Sequence, residues 1–123
     1  MDHDSPLLVI VDAANVVGSV PDGWWRDRRG AAERLRDRLA AEGLPGRSGA
    51  EEIVLVVEGA ARGVASVPGV RVESAPGSGD DHIVGLVAAA GGRSRLVVTA
   101  DRELRARVTE LGAEVTGPRA VRG

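Results

Sequence analysis

Three uninterrupted apolar runs, each leading to an acidic residue, constrain this chain more than any other feature. Leu7 to Val11 runs straight into Asp12, Ile53 to Val57 runs into Glu58, and Leu96 to Val98 continues through Thr99 and Ala100 to Asp101. A short strand that is apolar at every position is buried on both faces, the habit of a parallel sheet covered by helices. In such sheets the ligand crevice opens at the carboxyl ends of the strands. The acids therefore stand where chemistry is expected.

The intervening segments support the same class. Val16 to Gly23 reads as a loop rich in turn formers. Trp24 to Arg29 leads into a helix ending near Glu42, with Ala31, Ala32, Leu35 and Leu39 as its core face. Asp22 or Asp27 is its candidate N-cap and Gly43 its stop. Leu44 to Ala50 reads as a surface loop, and Gly59 to Gly63 as a short turn or helical piece. Val70 to Glu73 alternates, as a short strand nearer an edge does. Asp80-Asp81 opens a helix through Ala90, buried along Ile83, Val84, Val87 and Ala90 and ended by Gly91-Gly92. Arg102 to Leu111 is a further helix, and Ala113 to Thr116 a last short strand. Alternating strands and helices predict a parallel sheet with right-handed crossovers. At 123 residues one domain is expected, spanning 7–118 with tails at 1–6 and 119–123.

Composition removes several chemistries. Cysteine is absent, which excludes disulfides, thiolate catalysis and cysteine-ligated zinc. Lysine is absent too, all 16 basic residues being arginine, so P-loop and Schiff-base mechanisms are excluded. The bias to arginine, alanine, glycine and valine also fits a GC-rich genome. Trp24 and Trp25 are the only aromatic residues, which rules out an aromatic base-stacking sheet. A net charge of −2 gives no broad pull on nucleic acid but leaves room for a local basic face. No apolar stretch approaches the length of a membrane span, and the opening Met1 to Pro6 is acidic rather than signal-like. The chain is expected in the cytoplasm, away from membranes.

Asp12, Glu58, Asp80 and Asp101 each fall at the carboxyl end of a strand or the start of the next helix. In a parallel sheet these ends share one edge. Carboxylates gathered there repel one another, and a divalent cation relieves the repulsion. An oxygen-only donor set suits Mg²⁺ or Mn²⁺, which can orient water and stabilise a leaving oxygen in phosphodiester hydrolysis. A plainer role stays open for each acid, because carboxylates also cap helix N-termini. Asp101 could simply cap the helix from Arg102, Glu58 could be a solvated strand end, and Asp80 and Asp81 compete to face the site. Asn15 is either an Asx-turn residue or a partner orienting Asp12 or a phosphate. Thr99 offers a hydroxyl or merely a strand position, and His82 reads as a solvent-exposed helix residue.

The densest basic segment surrounds the two tryptophans. Arg26, Arg28 and Arg29, nearest the loop after Asn15, read as a phosphate grip with an indole at hand to stack a base. Arg34, Arg36 and Arg38, interleaved with Glu33 and Asp37, read as the solvated face of the helix.

Three segments, in order along the chain, resemble one known family. Val9-Ile10-Val11-Asp12-Ala13-Ala14-Asn15 resembles the VDGxN opening of the NYN branch of the PIN-like nucleases. Ser78-Gly79-Asp80-Asp81-His82-Ile83-Val84 resembles that family's small-residue and Asp-Asp helix start, and Val97-Val98-Thr99-Ala100-Asp101-Arg102 its VVTxD strand. The resemblance implies a Rossmann-like three-layer α/β/α sandwich with a mainly parallel sheet, a divalent metal held by clustered acids, and endoribonuclease activity. It carries Asp12, Asp80 and Asp101 over as catalytic, metal-binding acids supported by Asn15, with Asp81 and Glu58 as further candidates. Glu58 stands where relatives often have Asp, and Ala13-Ala14 where a Gly-aromatic pair is usual.

Metal-dependent hydrolysis of RNA is therefore the expected function, with Asn15, Thr99, Arg26, Arg28 and Arg29 binding substrate. Two alternatives remain: an NTP pyrophosphohydrolase-like enzyme acting on nucleotides, and a non-catalytic RNA- or protein-binding module of the same fold. Homodimerisation is left open. No G-x-G-x-x-G follows the first strand, and Asp12 lacks a second acid two residues on, so a dinucleotide-binding domain and an aspartyl-nucleophile phosphatase are set aside.

Overall fold

A computed structural model describes residues 5–44 and 50–122. Most of the loop expected between Leu44 and Ala50, and the first residues of the N-terminal tail, lie outside the described residues. Five strands, β1 (Leu8–Asp12), β2 (Glu52–Val57), β3 (Val70–Ser74), β4 (Arg95–Val98) and β5 (Glu114–Thr116), form one sheet in the order β3-β2-β1-β4-β5. Every neighbouring pair is parallel. The helices are α1 (Ala13–Gly18), α2 (Arg28–Glu42), α3 (Gly79–Ala89), α4 (Arg102–Glu110) and α5 (Arg119–Arg122).

Successive residues of a strand point to opposite faces, and β1 is buried at every position. Val9 and Val11 pack with Ala32, Leu35 and Leu39 of α2 in one core. Leu8 and Ile10 pack with Ile83 and Val87 of α3 and with Leu104 and Val108 of α4 in the other. The result is the expected three-layer α/β/α sandwich, with β1 at its centre and β3 at one edge.

Three stretches depart from expectation. Val16 to Gly18, expected in a loop, belong to α1, which starts at Ala13 directly after Asp12: the Asp12 side chain caps it, and burial of Ala13 and Val16 outweighs the weak helix propensity of its valines. The segment before α2 is not continuous helix. A tight 3-10 turn covers Trp24–Arg26, and α2 starts afresh with Asp27, not Asp22, accepting from the Gly30 N–H at 2.9 Å. A Cβ at position 30 would collide with that carboxylate. At its other end α2 stops at Gly43, as expected, with φ at 64°. The last residues, expected as a tail, form α5, whose Val121 is buried in the core beside α1 and α2.

Candidate functional site

The sheet reverses direction at β1. The chain steps outward from β1 to β2 and β3, then returns to lay β4 on the other side of β1. At such a switch point the helices leave toward opposite faces, and a crevice opens beyond the strand ends. Val11 is level with Val98, so Thr99 emerges beside Asp12. Asp12 is level with Val56, so Glu58 lies just beyond it.

Asp12 is 5% exposed and held from two sides. The Asn15 backbone N–H donates to Oδ1 at 3.3 Å, and the Thr99 hydroxyl donates to Oδ2 at 3.0 Å. The Thr99 oxygen in turn accepts the Asp101 N–H at 3.1 Å, while Asn15 Oδ1 accepts the Ala100 N–H at 2.8 Å. Arg105 closes the frame by donating to the Thr99 carbonyl at 2.8 Å. Asn15 and Thr99 thus tie the end of β1 to the loop after β4. Burial pushes the Asp12 carboxyl from 3.8 up to about 6; the Thr99 and Asn15 hydrogen bonds pull it down, and the Asp80 and Glu58 carboxylates add to the rise.

The α3 N-terminus supplies the next acid. Ser78 caps the helix by accepting the Asp81 N–H at 3.3 Å. Asp80 is half-buried, and its pKa is raised by burial first, then by Asp101 and Glu58, against the pull of Arg107. Asp81 is exposed and pairs with Arg107 at 3.1 Å. Of the adjacent acids, Asp80 is the one that feels the carboxylates of the sheet edge from both sides. Asp101 spends Oδ1 on capping α4, accepting from the Leu104 N–H at 3.0 Å, which leaves Oδ2 for the crevice. Glu58 is half-buried, with Oε1 so close to Gly79 that a Cβ there would stand 2.6 Å away.

Among the described residues, no group of three or more histidine or acidic side chains forms a ready-made metal cage. The chemistry of the donors still fits a hard cation. The donors at the edge are oxygens, burial and then the neighbouring carboxylates raise Asp12 and Asp80, and Mg²⁺ is commonly held through one or two carboxylates with water and substrate phosphate completing its shell.

The basic residues separate. Arg29, expected to grip phosphate, donates to the Arg62 and Gly63 carbonyls at 3.0 and 3.1 Å and staples α2 to the loop after β2. Arg26 is exposed, 5.8 Å over the Trp25 ring. Arg28 lies 5.3 Å over the Trp24 ring and lines a cavity of about 280 Å³ between α1, α2 and the end of β2, whose rim includes Glu58. Arg36, expected on a solvated face, reaches the Ala65 carbonyl at 2.9 Å. His82 is not a free surface residue either: its Nε2 lies 2.6 Å from Glu73 Oε1, joining α3 to β3. The bracing role of Arg105 has no sequence signal, because its partner is a backbone carbonyl.

A five-stranded, fully parallel sheet in this order, with acids along its carboxyl edge, places the chain among the doubly wound α/β proteins. The sequence matches no family model and no curated protein. Among solved structures it is similar to a mutant form of Rae1 (YacP) from Bacillus subtilis, with a TM-score of 0.73 and 18% identity over 93% of this chain and 71% of that one. At that identity the likeness establishes a shared fold.

Proposed function

We propose that this chain is a metal-dependent endoribonuclease of the NYN type, hydrolysing RNA phosphodiester bonds at the carboxyl edge of its sheet. One observation carries the reading: the buried Asp12 at the end of β1 is joined through the Thr99 hydroxyl to the Asp101 N–H at the start of α4, and Glu58 lies just beyond it at the end of β2, so acids from separate places in the sequence share the carboxyl edge at the switch point. The ordered motifs around Asp12, Asp80 and Asp101, and the fold shared with Rae1 (YacP), support it.

The division of work follows from the hydrogen bonds. Asp12 is held in one orientation by Thr99 and Asn15, so its position survives the arrival of a charged substrate. Asp80 has no hydrogen-bond or ion-pair partner among the described residues and is free to turn toward a cation. Asp101 offers the oxygen its helix cap does not use. Mg²⁺ or Mn²⁺, when bound by these acids, would neutralise the scissile phosphate and stabilise the leaving oxygen. Arg28, which lines the cavity next to Glu58, and the exposed Arg26 two residues before it would supply positive charge for the RNA backbone.

A second reading, a binding module of the same fold without hydrolysis, is favoured by the lack of a preformed three-acid cage among the described residues. Incubating the purified protein with single-stranded and structured RNA, in Mg²⁺, Mn²⁺ or EDTA, separates the two. Metal-dependent cleavage that Asp12→Asn abolishes supports the nuclease. Undiminished cleavage by Asp12→Asn removes Asp12 from the mechanism. RNA binding without cleavage favours the module, and turnover of nucleoside triphosphates alone makes the protein a nucleotide phosphohydrolase.

A further inference from the structure

We infer that the cavity beside the acidic edge is a nucleobase subsite that prefers guanine, with Glu58 reading the base and Trp24 and Arg28 forming its stacking wall. The inference rests on the reading of this edge as an RNA site and adds what that site recognises.

The cavity has a volume of about 280 Å³, just below the roughly 300 Å³ at which drug-sized ligand sites begin. Its walls are mostly apolar. Ala14 and Val17 come from α1, Ala61 from the turn after β2, and the Trp24 indole closes one side. Such a slot suits a flat, weakly hydrated ring. Trp24 is half-buried, so it is fixed by its neighbours yet keeps surface toward the opening. The Arg28 guanidinium lies 5.3 Å over that indole. Aromatic rings and guanidinium planes are the surfaces on which unpaired RNA bases stack.

Two polar side chains line the cavity, Arg28 and Glu58. Glu58 is half-buried, and its carboxylate has no hydrogen-bond or ion-pair partner among the described residues. A carboxylate at the rim of a largely apolar slot, with no donor bonded to it, is open to the N–H groups of a ligand. Guanine presents two adjacent N–H donors on its Watson–Crick edge, which match the two oxygens of a carboxylate. Adenine, cytosine and uracil offer no such adjacent pair. The Glu58 Oε1 lies close to Gly79, where an added Cβ would come within 2.6 Å of it. Glu58 also influences Asp12 and Asp80, so a base held here sits next to the acids that would act on its phosphate.

The test uses Trp24 as reporter. In the full chain carrying Trp25→Phe, Trp24 is the sole fluorophore, and titration with GMP, AMP, CMP and UMP in EDTA reads the cavity without any metal. GMP is expected to quench Trp24 saturably and to bind roughly tenfold tighter than AMP. Glu58→Gln should erase that preference. So should Gly79→Ala, whose Cβ displaces the Glu58 carboxylate, with far-UV circular dichroism checking that both variants keep the fold. Single-stranded RNA containing guanosine should compete with GMP if the strand is the source of the base. Absence of saturable quenching, preference for another base, or an unchanged preference in both variants would overturn the inference. The nuclease reading fails separately: guanine binding that depends on Glu58, with no RNA cut in Mg²⁺ or Mn²⁺, keeps the subsite and removes the hydrolysis. Cleavage that persists with the same base preference in Glu58→Gln does the reverse.

Discussion

The Thr99 hydroxyl donates to Asp12 Oδ2 at 3.0 Å across 87 residues of sequence, and the same oxygen accepts the Asp101 N–H at 3.1 Å. One buried side chain thereby sets the spacing between the first and last acids of the crevice. Thr99→Val keeps the shape and deletes both bonds. We expect a loss of about 1–3 kcal/mol in denaturant unfolding, because Asp12 and the Asp101 N–H lose a buried partner. Thr99→Ser, which keeps the hydroxyl, should lose less.

Burial of Asp12 also makes stability depend on pH. Its carboxyl titrates near 3.8 when unfolded and at about 6 in the fold. Between those values the folded state holds a proton that the unfolded state has released, so stability falls as pH rises through the window and the deficit is complete above it. The shift corresponds to roughly 3 kcal/mol at most. Asp12→Asn keeps an acceptor for the α1 cap and removes the titration. It should therefore be more stable than wild type near pH 8 and nearly equal near pH 4, while losing cleavage. Thermal unfolding of both proteins across this range measures it.

Asp80 and Asp81 are adjacent but differ in surroundings. Asp80 is raised by burial and by Asp101 and Glu58, whereas Asp81 is exposed and pairs with Arg107. Asp80→Asn should lower metal-dependent RNA cleavage by more than the roughly 10–100-fold typical of losing an outer partner of a metal site. Asp81→Asn should leave the rate close to wild type. Equal losses in a side-by-side rate assay would contradict this assignment.

Arg29 is expected to matter for stability and not for RNA. Its guanidinium donates to two loop carbonyls, and Arg29→Ala should cost about 1 kcal/mol in unfolding. The salt dependence of RNA binding should keep its slope, since a lost phosphate contact would reduce it by about 1.

Much of the frame was legible in the residues. The strands of the sheet announced themselves because a run such as Val9-Ile10-Val11 is local, and complete burial on two faces leaves a local mark. The acids at Asp12 and Asp101 were equally visible, each directly closing or following such a run. The core face of helix α2 is equally legible, since Ala31, Ala32, Leu35 and Leu39 recur at helical spacing. α1 leaves no such mark, because six residues carry too little periodicity and its valines are weak helix formers.

By itself, then, the sequence determined a parallel sheet with acids at its strand ends, since alternation and apolar runs are properties of neighbouring residues. Only the tertiary structure decided which groups meet. It turned Asn15 and Thr99 into braces for Asp12, gave Asp80 and not its neighbour to the edge, withdrew Arg29 into a backbone staple, and opened a cavity between Trp24, Arg28 and Glu58. Each of those outcomes depends on contacts between segments far apart in the chain, and no local pattern of side chains encodes them.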